Sequence, residues 1–326
     1  MREFLSGFPG RDGRWDELNV AVSGGADSLA LAEAAAHVAH QRGLRVRALI
    51  VDHRLQEGSA EVAAAAARAA CELGVDSADV LTVEVNGPGG IEAAARRARY
   101  AALRGALSRE NALVLLGHTR DDQAETVLLG LGRGSGPRSV AGMKPFDPPW
   151  GRPLLDTPRS VTRAACAELG VEVWEDPQNA DPRFTRARLR AEVLPLLEDV
   201  LNGGVAGALA RTAAQLREDL ETLDALAAGV LAGAREPPGP GEAGTYAPPF
   251  LAVAPLLASP AALRRRVLRA WLLDAGARDL TDRHLRAVDA LVGDWRGQGG
   301  VWLPGSLVVE RSHGRLAVNR REPKGE

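Results

Sequence analysis

The chain has 326 residues, of which 45% are hydrophobic and 25% charged, and a formal net charge of -2. That is enough apolar material for two domains with cores of their own and too mixed a charge for a disordered tail, so a soluble globular protein is expected. Two cysteines, Cys71 and Cys166, exclude a disulfide framework or a CxxC site for zinc, iron-sulfur or dithiol chemistry, and both are expected to be small core residues. The first twenty residues hold no apolar run long enough for a signal peptide, and no stretch approaches the roughly 20 apolar residues that span a bilayer. A cytoplasmic address with no membrane partner is expected. In the first half, short apolar runs at 18–22, 46–52, 80–85 and 112–117 alternate with helical patterns at 29–41, 59–73, 91–107 and 121–131. This rhythm predicts an α/β fold with a doubly wound parallel sheet. An arginine-rich stretch follows near 181–190, then a helix over 205–231 with leucines at 209, 216, 220, 223 and 226. Nine of the seventeen residues 233–249 are Gly or Pro, a composition that predicts a linker. Beyond it, helical patterns at 259–276 and 281–295 and a strand pair at 306–311 and 315–318, turning at His313-Gly314, predict a small α+β domain. The expected organisation is a catalytic domain over 1–200, a helical segment and linker over 201–249, and an accessory domain over 250–326.

The first strand pattern runs into Ser23-Gly24-Gly25-Ala26-Asp27-Ser28 and then directly into an alanine-rich helix. Glycines at a strand-to-helix turn let the backbone bend and approach a ligand, while exposed N–H groups and the helix dipole attract an anion. The six residues therefore suit a phosphate cradle. They match neither a Walker A loop nor the GxGxxG fingerprint. Asp27 is an acid where phosphates would sit, so its expected role is to hold Mg²⁺ between phosphate oxygens, with Ser23 and Ser28 donating to the same group. An N-capping turn with solvated serines is the other reading of the six residues alone, and a place after the first strand of an α/β sheet favours the nucleotide.

This loop resembles the SGGxDS loop of the N-type ATP pyrophosphatases, or PP-loop enzymes, which split ATP between the α and β phosphates and transfer AMP to a carbonyl-like oxygen. Four further stretches are similar to the bacterial tRNA(Ile)-lysidine synthetases: VDHRLQEGSAEVA from Val51, EAAARRARYAAL from Glu92, GHTRDDQAETVLLGLGRGSG from Gly117 and EDPQNADPRFTRARLRAEVLPLL from Glu175. The resemblance is dense over about residues 17–200 and loose beyond. It implies an ATP-dependent ligase that adenylates the wobble cytidine of an isoleucine tRNA with a CAU anticodon and lets the ε-amine of free L-lysine displace AMP, giving lysidine. It implies ATP and Mg²⁺ as cofactors, and a homodimer is compatible with it. Other PP-loop tRNA-modifying or amide-forming enzymes, and a non-catalytic nucleotide- or RNA-binding protein, share parts of this pattern.

His118, Asp121, Asp122 and Glu125 follow the fourth strand pattern, at the sheet edge where open α/β folds bind ligands. His118 and Asp122 are four apart and share a face if the helix begins there. Acids suit a cationic amine, and the resemblance assigns His118 and Asp122 to the lysine pocket, with Asp122 as candidate base; a dipole-serving acid cluster is the plainer reading. Arg183, Arg186, Arg188 and Arg190 place four guanidinium groups in eight positions, suited to phosphate or carboxylate. The family pattern is similar to Thr-Arg-Asn-Arg-Ile/Leu-Arg; Ala187 departs from it, and Arg188 receives a catalytic and substrate-binding role by the resemblance. Asp52-His53 ends the second strand pattern, where adenine or ribose could lie. Glu92 and Tyr100 are expected to brace their helix through Arg96. The run Arg264-Arg265-Arg266 with Arg269 is a candidate tRNA-facing surface.

Overall fold

The computed structural model of the protein describes residues 1–134, 136–236 and 250–321. Within them the chain forms two compact units, Met1–Arg217 and Glu218–Glu326. The first opens with helix α1 (Arg2–Gly7) and continues β1 (Glu17–Val22), α2 (Ala26–His40), β2 (Val46–Asp52), α3 (Ser59–Glu72), β3 (Ser77–Thr82), α4 (Gly90–Gly105), β4 (Ala112–Leu115) and α5 (Arg120–Gly132). Next come α6 (Pro137–Val140), β5 (Phe146–Asp147), β6 (Trp150–Gly151), α7 (Arg159–Glu168), α8 (Thr185–Arg188), a π turn at Leu189–Val193 and α9 (Leu194–Val200). The helix α10 (Val205–Ala234) is shared between the units.

The first sheet has the order β3-β2-β1-β4-β6-β5, with β3 through β6 parallel and β5 antiparallel at the edge. β4 reads as an unbroken apolar run and β1 as one interrupted by the buried Asn19, because helices cover both faces: Val20, Leu113 and Leu115 have no exposed surface. From β1 the chain crosses to β2 on one side, and from α4 it returns to β4 on the other. The strand order thus reverses between β1 and β4, and the crevice above their carboxyl ends is the place where such sheets bind ligands.

The third strand lies at 77–82 rather than 80–85. Register decides it: β2 begins at Val46, whose N–H is taken by the Asp76 carboxylate at 2.8 Å, and pairing runs from Arg47 opposite Ser77 to Asp52 opposite Thr82. Several pieces were not expected from the sequence, among them α1, the β5–β6 hairpin and α7. Cys166 is buried as expected, whereas Cys71 is exposed.

The second unit takes in the last part of α10 and continues β7 (Arg235–Glu236), β8 (Phe250–Ala252), α11 (Val253–Leu257), α12 (Ala261–Asp274), α13 (Asp282–Gly293), β9 (Val301–Leu303), β10 (Leu307–Ser312) and β11 (Arg315–Arg320). Its sheet, β7-β8-β11-β10-β9, is antiparallel. The β10–β11 hairpin turns on His313 and Gly314, both at positive φ, as a two-residue turn that follows the strand twist requires. Trp271, Leu268, Leu291, Val309 and Leu316 have no exposed surface and form its core. From residue 237 to 249 the expected linker lies outside the described residues. Among the described residues no single helix is long and apolar enough to cross a membrane.

The arginine run of α12 is not an open basic face. Arg264 and Arg265 both pair with Asp289 of α13, the first through its Nε, and Arg266 pairs with Asp224 at 3.3 Å. Helical phase explains this, since three consecutive residues point about 100° apart and acids of neighbouring helices meet them. Arg264→Ala would leave Asp289 buried without its main partner and is expected to cost about 3 kcal/mol, read as a lower urea midpoint of the full chain. Arg296→Ala removes an exposed pair with Asp294 and is expected to change stability by less than about 0.5 kcal/mol.

Candidate functional site

The loop between β1 and α2 is held open by its own hydroxyls. The Ser28 hydroxyl donates to the carbonyl of Gly25 at 2.9 Å and accepts the N–H of Ser23 at 3.1 Å, with the Ser23 hydroxyl 3.2 Å away. Gly24 stands at φ +83, and a β-carbon there would lie 3.3 Å from Ala66 and 3.5 Å from Trp174. The N–H of Trp174 bonds the Gly24 carbonyl at 3.0 Å, fixing the turn from the far side.

The end of β4 meets the first turn of α2. A β-carbon on Gly117 would approach the backbone carbonyl oxygen of Asp27 to 3.0 Å, so any larger residue there would push the two backbones apart by a few tenths of an ångström. After Gly117 and His118, the chain enters α5 through Thr119, whose N–H and hydroxyl both donate to Oδ2 of Asp122, at 2.8 and 2.9 Å. α5 therefore starts at Arg120, and His118 precedes the helix instead of sharing a turn with Asp122. The two still converge, because the Asp122 charge acts on the His118 ring.

Arg159, at the start of α7, joins these elements. Its Nε donates to Oδ2 of Asp27 at 3.0 Å, its Nη2 to Oδ1 of Asp122 at 2.6 Å, and its Nη1 lies 3.7 Å from Oε1 of Glu125. Its backbone N–H is taken by Asp121 at 2.9 Å, so α5 fixes both ends of the residue. The Thr162 hydroxyl, one turn later, donates to the other oxygen of Asp27. Glu125 is fully buried and also accepts from Arg190 Nε at 2.8 Å, with Arg186 at 3.5 Å; Arg190 reaches Asp122 at 3.4 Å. Carboxylates at Asp27, Asp122 and Glu125 are thus interleaved with guanidinium groups of Arg159, Arg186 and Arg190. Buried charges persist when paired and bonded in this way.

Two expected roles change. Arg188 faces away from the cluster and forms an exposed pair with Glu192 at 2.8 Å. Arg186 and Arg190 are four apart and share a face, whereas residue 188 lies about 200° round the helix from 186, so the alternate arginines point outward. Ala187, where the family pattern has Asn, is buried. Asp122 is also a poor base: burial would raise its pKa, but Arg159 and the Thr119 hydrogen bonds hold it below the ordinary carboxylate value. His118 goes the opposite way. Burial, only partly opposed by Asp122, lowers its pKa to about 4, and its Nδ1 is buried without a hydrogen-bond partner.

At the end of β2, Asp52 is buried and caps the turn by accepting the N–H of Arg54 at 2.9 Å. His53 has both ring nitrogens buried and without partners, and its pKa is lowered by burial and by the charge of Arg99 on α4. On α4, the Arg96 guanidinium lies over the Tyr100 ring, which packs edge-on against Trp150. Arg159 and Thr162 carried no local motif, and nothing short of the fold brings them to Asp27. Among the described residues no group of three or more His, Cys, Asp or Glu could hold a metal ion. A loop carboxylate still fits Mg²⁺, which is commonly held by one or two carboxylates together with the phosphates of its nucleotide.

His118 gives a pH signature. In the unfolded chain it protonates below about 6.5 and in the folded chain only below about 4, so between those values the unfolded state binds the extra proton and stability falls as pH drops. His118→Gln is expected to flatten that fall, read from urea midpoints at pH steps across the window; an unchanged slope contradicts a buried neutral ring.

Comparison with known proteins bears on the whole chain. Residues 11–197 match the PP-loop domain family and residues 251–317 the TilS substrate binding domain family. A tRNA(Ile)-lysidine synthase of Rhodococcus erythropolis is 60% identical over 304 residues, 92% of this chain and 88% of the relative. One of Mycobacterium tuberculosis is 55% identical over 312 residues, 94% and 92% of the two chains. The solved U34-tRNA thiolase NcsA from Methanococcus maripaludis with its 4Fe-4S cluster shares the fold alone, with a TM-score of 0.52 and 17% identity over 62% of this chain and 72% of that one.

Proposed function

The chain belongs to the tRNA(Ile)-lysidine synthases, ligases that form lysidine on tRNA(Ile) with ATP, and within that activity we propose a division of labour among its residues. The SGGADS loop takes the ATP phosphates: Gly24, Gly25 and Ala26 offer backbone N–H groups at a helix N-terminus and Ser23 its hydroxyl, while Ser28 braces the turn that presents them. Asp27 is the carboxylate that would hold Mg²⁺, which when bound neutralises charge on the phosphates. His53, with its unpartnered ring nitrogens, and Asp52 beside it line the adenosine end.

Free L-lysine is the second substrate. Asp122 and Glu125 receive a cationic group of it, and the observation that carries this reading is the half-buried Asp122 carboxylate, held ionised by Arg159, next to the buried Glu125 and a neutral His118. Because His118 is uncharged at pH 7 it adds no repulsion against an amine, and its buried Nδ1 is a group such a ligand can meet. Asp122 recognises; it does not take the proton. Adenylation of the wobble cytidine comes first, giving the amine a leaving group to displace. The second unit holds tRNA, through exposed arginines such as Arg278 and Arg283 rather than through the paired run of α12. The enzyme then works with its tRNA in the cytoplasm.

Asp27→Ala is expected to lower AMP transfer by about 10²-fold or more while tRNA binding persists. Asp122→Asn is expected to form the adenylated tRNA and fail to resolve it, seen as accumulated intermediate in single-turnover assays. Loss of both steps in Asp122→Asn, with the fold intact, would assign that residue to ATP instead. Alanine at both Arg278 and Arg283 is expected to weaken tRNA binding and make its salt dependence shallower; an unchanged salt slope places the RNA elsewhere.

A further inference from the structure

Arg159 stands between the two subsites just described and is assigned to neither. Its guanidinium is one cation shared by Asp27 on the nucleotide loop and by Asp122 and Glu125 on α5, at 3.0, 2.6 and 3.7 Å. Its side chain is only 15% exposed, so the pairing is little screened by solvent. Both subsites receive cations: a metal at Asp27 and an amine at Asp122 and Glu125. Each arriving cation must take a carboxylate from Arg159. A cation at Asp27 leaves the arginine wholly to Asp122 and Glu125, where it opposes an amine, and an amine at those acids leaves it wholly to Asp27.

We propose that Arg159 is a positioning residue that couples the subsites negatively, so that metal-nucleotide on Asp27 and lysine on Asp122 and Glu125 weaken each other's binding. The effect is reciprocal, as linkage between two binding equilibria requires. Its consequence is an order of events. While metal-nucleotide occupies Asp27, the arginine guards the acids; once that charge departs after adenylation, Arg159 returns to Asp27, and the acids, still bonded by Arg190 and Arg186, lose one of the cations that oppose the amine. The inference rests on the lysine reading of Asp122 and Glu125.

The test measures L-lysine binding to the full chain by calorimetry, alone and with Mg²⁺ and α,β-methylene-ATP, which cannot be split at that bond. In the wild type the metal-nucleotide is expected to weaken lysine about five- to tenfold, and lysine to weaken the nucleotide by the same factor. In Arg159→Gln the ratio is expected to approach one, and Arg159→Lys, which keeps the charge without the fork, to restore part of it. Asp27→Asn should weaken lysine binding without any nucleotide, because it frees Arg159 for the acids; in the Arg159→Gln background that effect should vanish, whereas direct charge attraction by Asp27 would persist. No antagonism in the wild type, an equal ratio in Arg159→Gln, or an Asp27→Asn effect that is absent or independent of Arg159 overturns the coupling. If Arg159→Gln does not fold, Arg159→Lys takes its place as the background in both arms, and a nucleotide ratio and an Asp27→Asn effect equal to those of the wild type overturn the coupling. Asp122→Asn separates the two readings: unchanged lysine affinity in that variant removes the lysine pocket itself, while weakened affinity with an unaltered Arg159 ratio removes the coupling alone.

Discussion

The closeness of two backbones governs the site. At Gly117 the end of β4 lies against the first turn of α2 so tightly that a β-carbon would come within 3.0 Å of the Asp27 carbonyl oxygen and 3.2 Å of the Ser28 Cα. That contact sets the phosphate loop, which follows β1, beside the acid-bearing start of α5, which follows β4. Both strands are central and buried on both faces, so the loops at their carboxyl ends sit on a rigid base. The strand order reverses between them, which leaves the crevice that the two loops line.

Bringing Asp27, Asp122 and Glu125 into one buried neighbourhood would be costly without compensation, since each ion loses its water. The arginines of α7 and of the segment after it supply that compensation. Arg159 gains from it in turn: burial alone would lower its pKa, yet Asp122 and Asp27 hold it above the ordinary guanidinium value. Replacing such a network by apolar residues would often be neutral or better for stability, so its presence points to binding more than to folding. The neutral His118 beside it adds no further positive charge to the network.

Much of this was legible in the chain. Strand and helix order followed from the alternation of apolar runs with helical periods, and the SGGADS segment could be placed at the turn from β1 into α2. The acids after β4 were likewise visible as a cluster. What could not be read was set by the third dimension. Arg159 lies 132 positions from Asp27 and has no motif of its own. Arg188 was the arginine favoured by family pattern, but helical phase turns it outward and brings Arg186 and Arg190 inward. The Arg264–Arg266 run looked like an RNA face because its partners, Asp289 and Asp224, are distant in sequence. The edge strand β3 was displaced by three residues because register with β2, and not its own alternation, decides where it pairs.

On the division of labour proposed for this site, activation of the tRNA and capture of the amine use different residues and occur in that order. Exchange of labelled pyrophosphate into ATP by the wild-type enzyme measures the first step alone. With tRNA(Ile) present and lysine omitted, exchange is expected well above the rate without tRNA. Exchange that begins only when lysine is added would contradict that order.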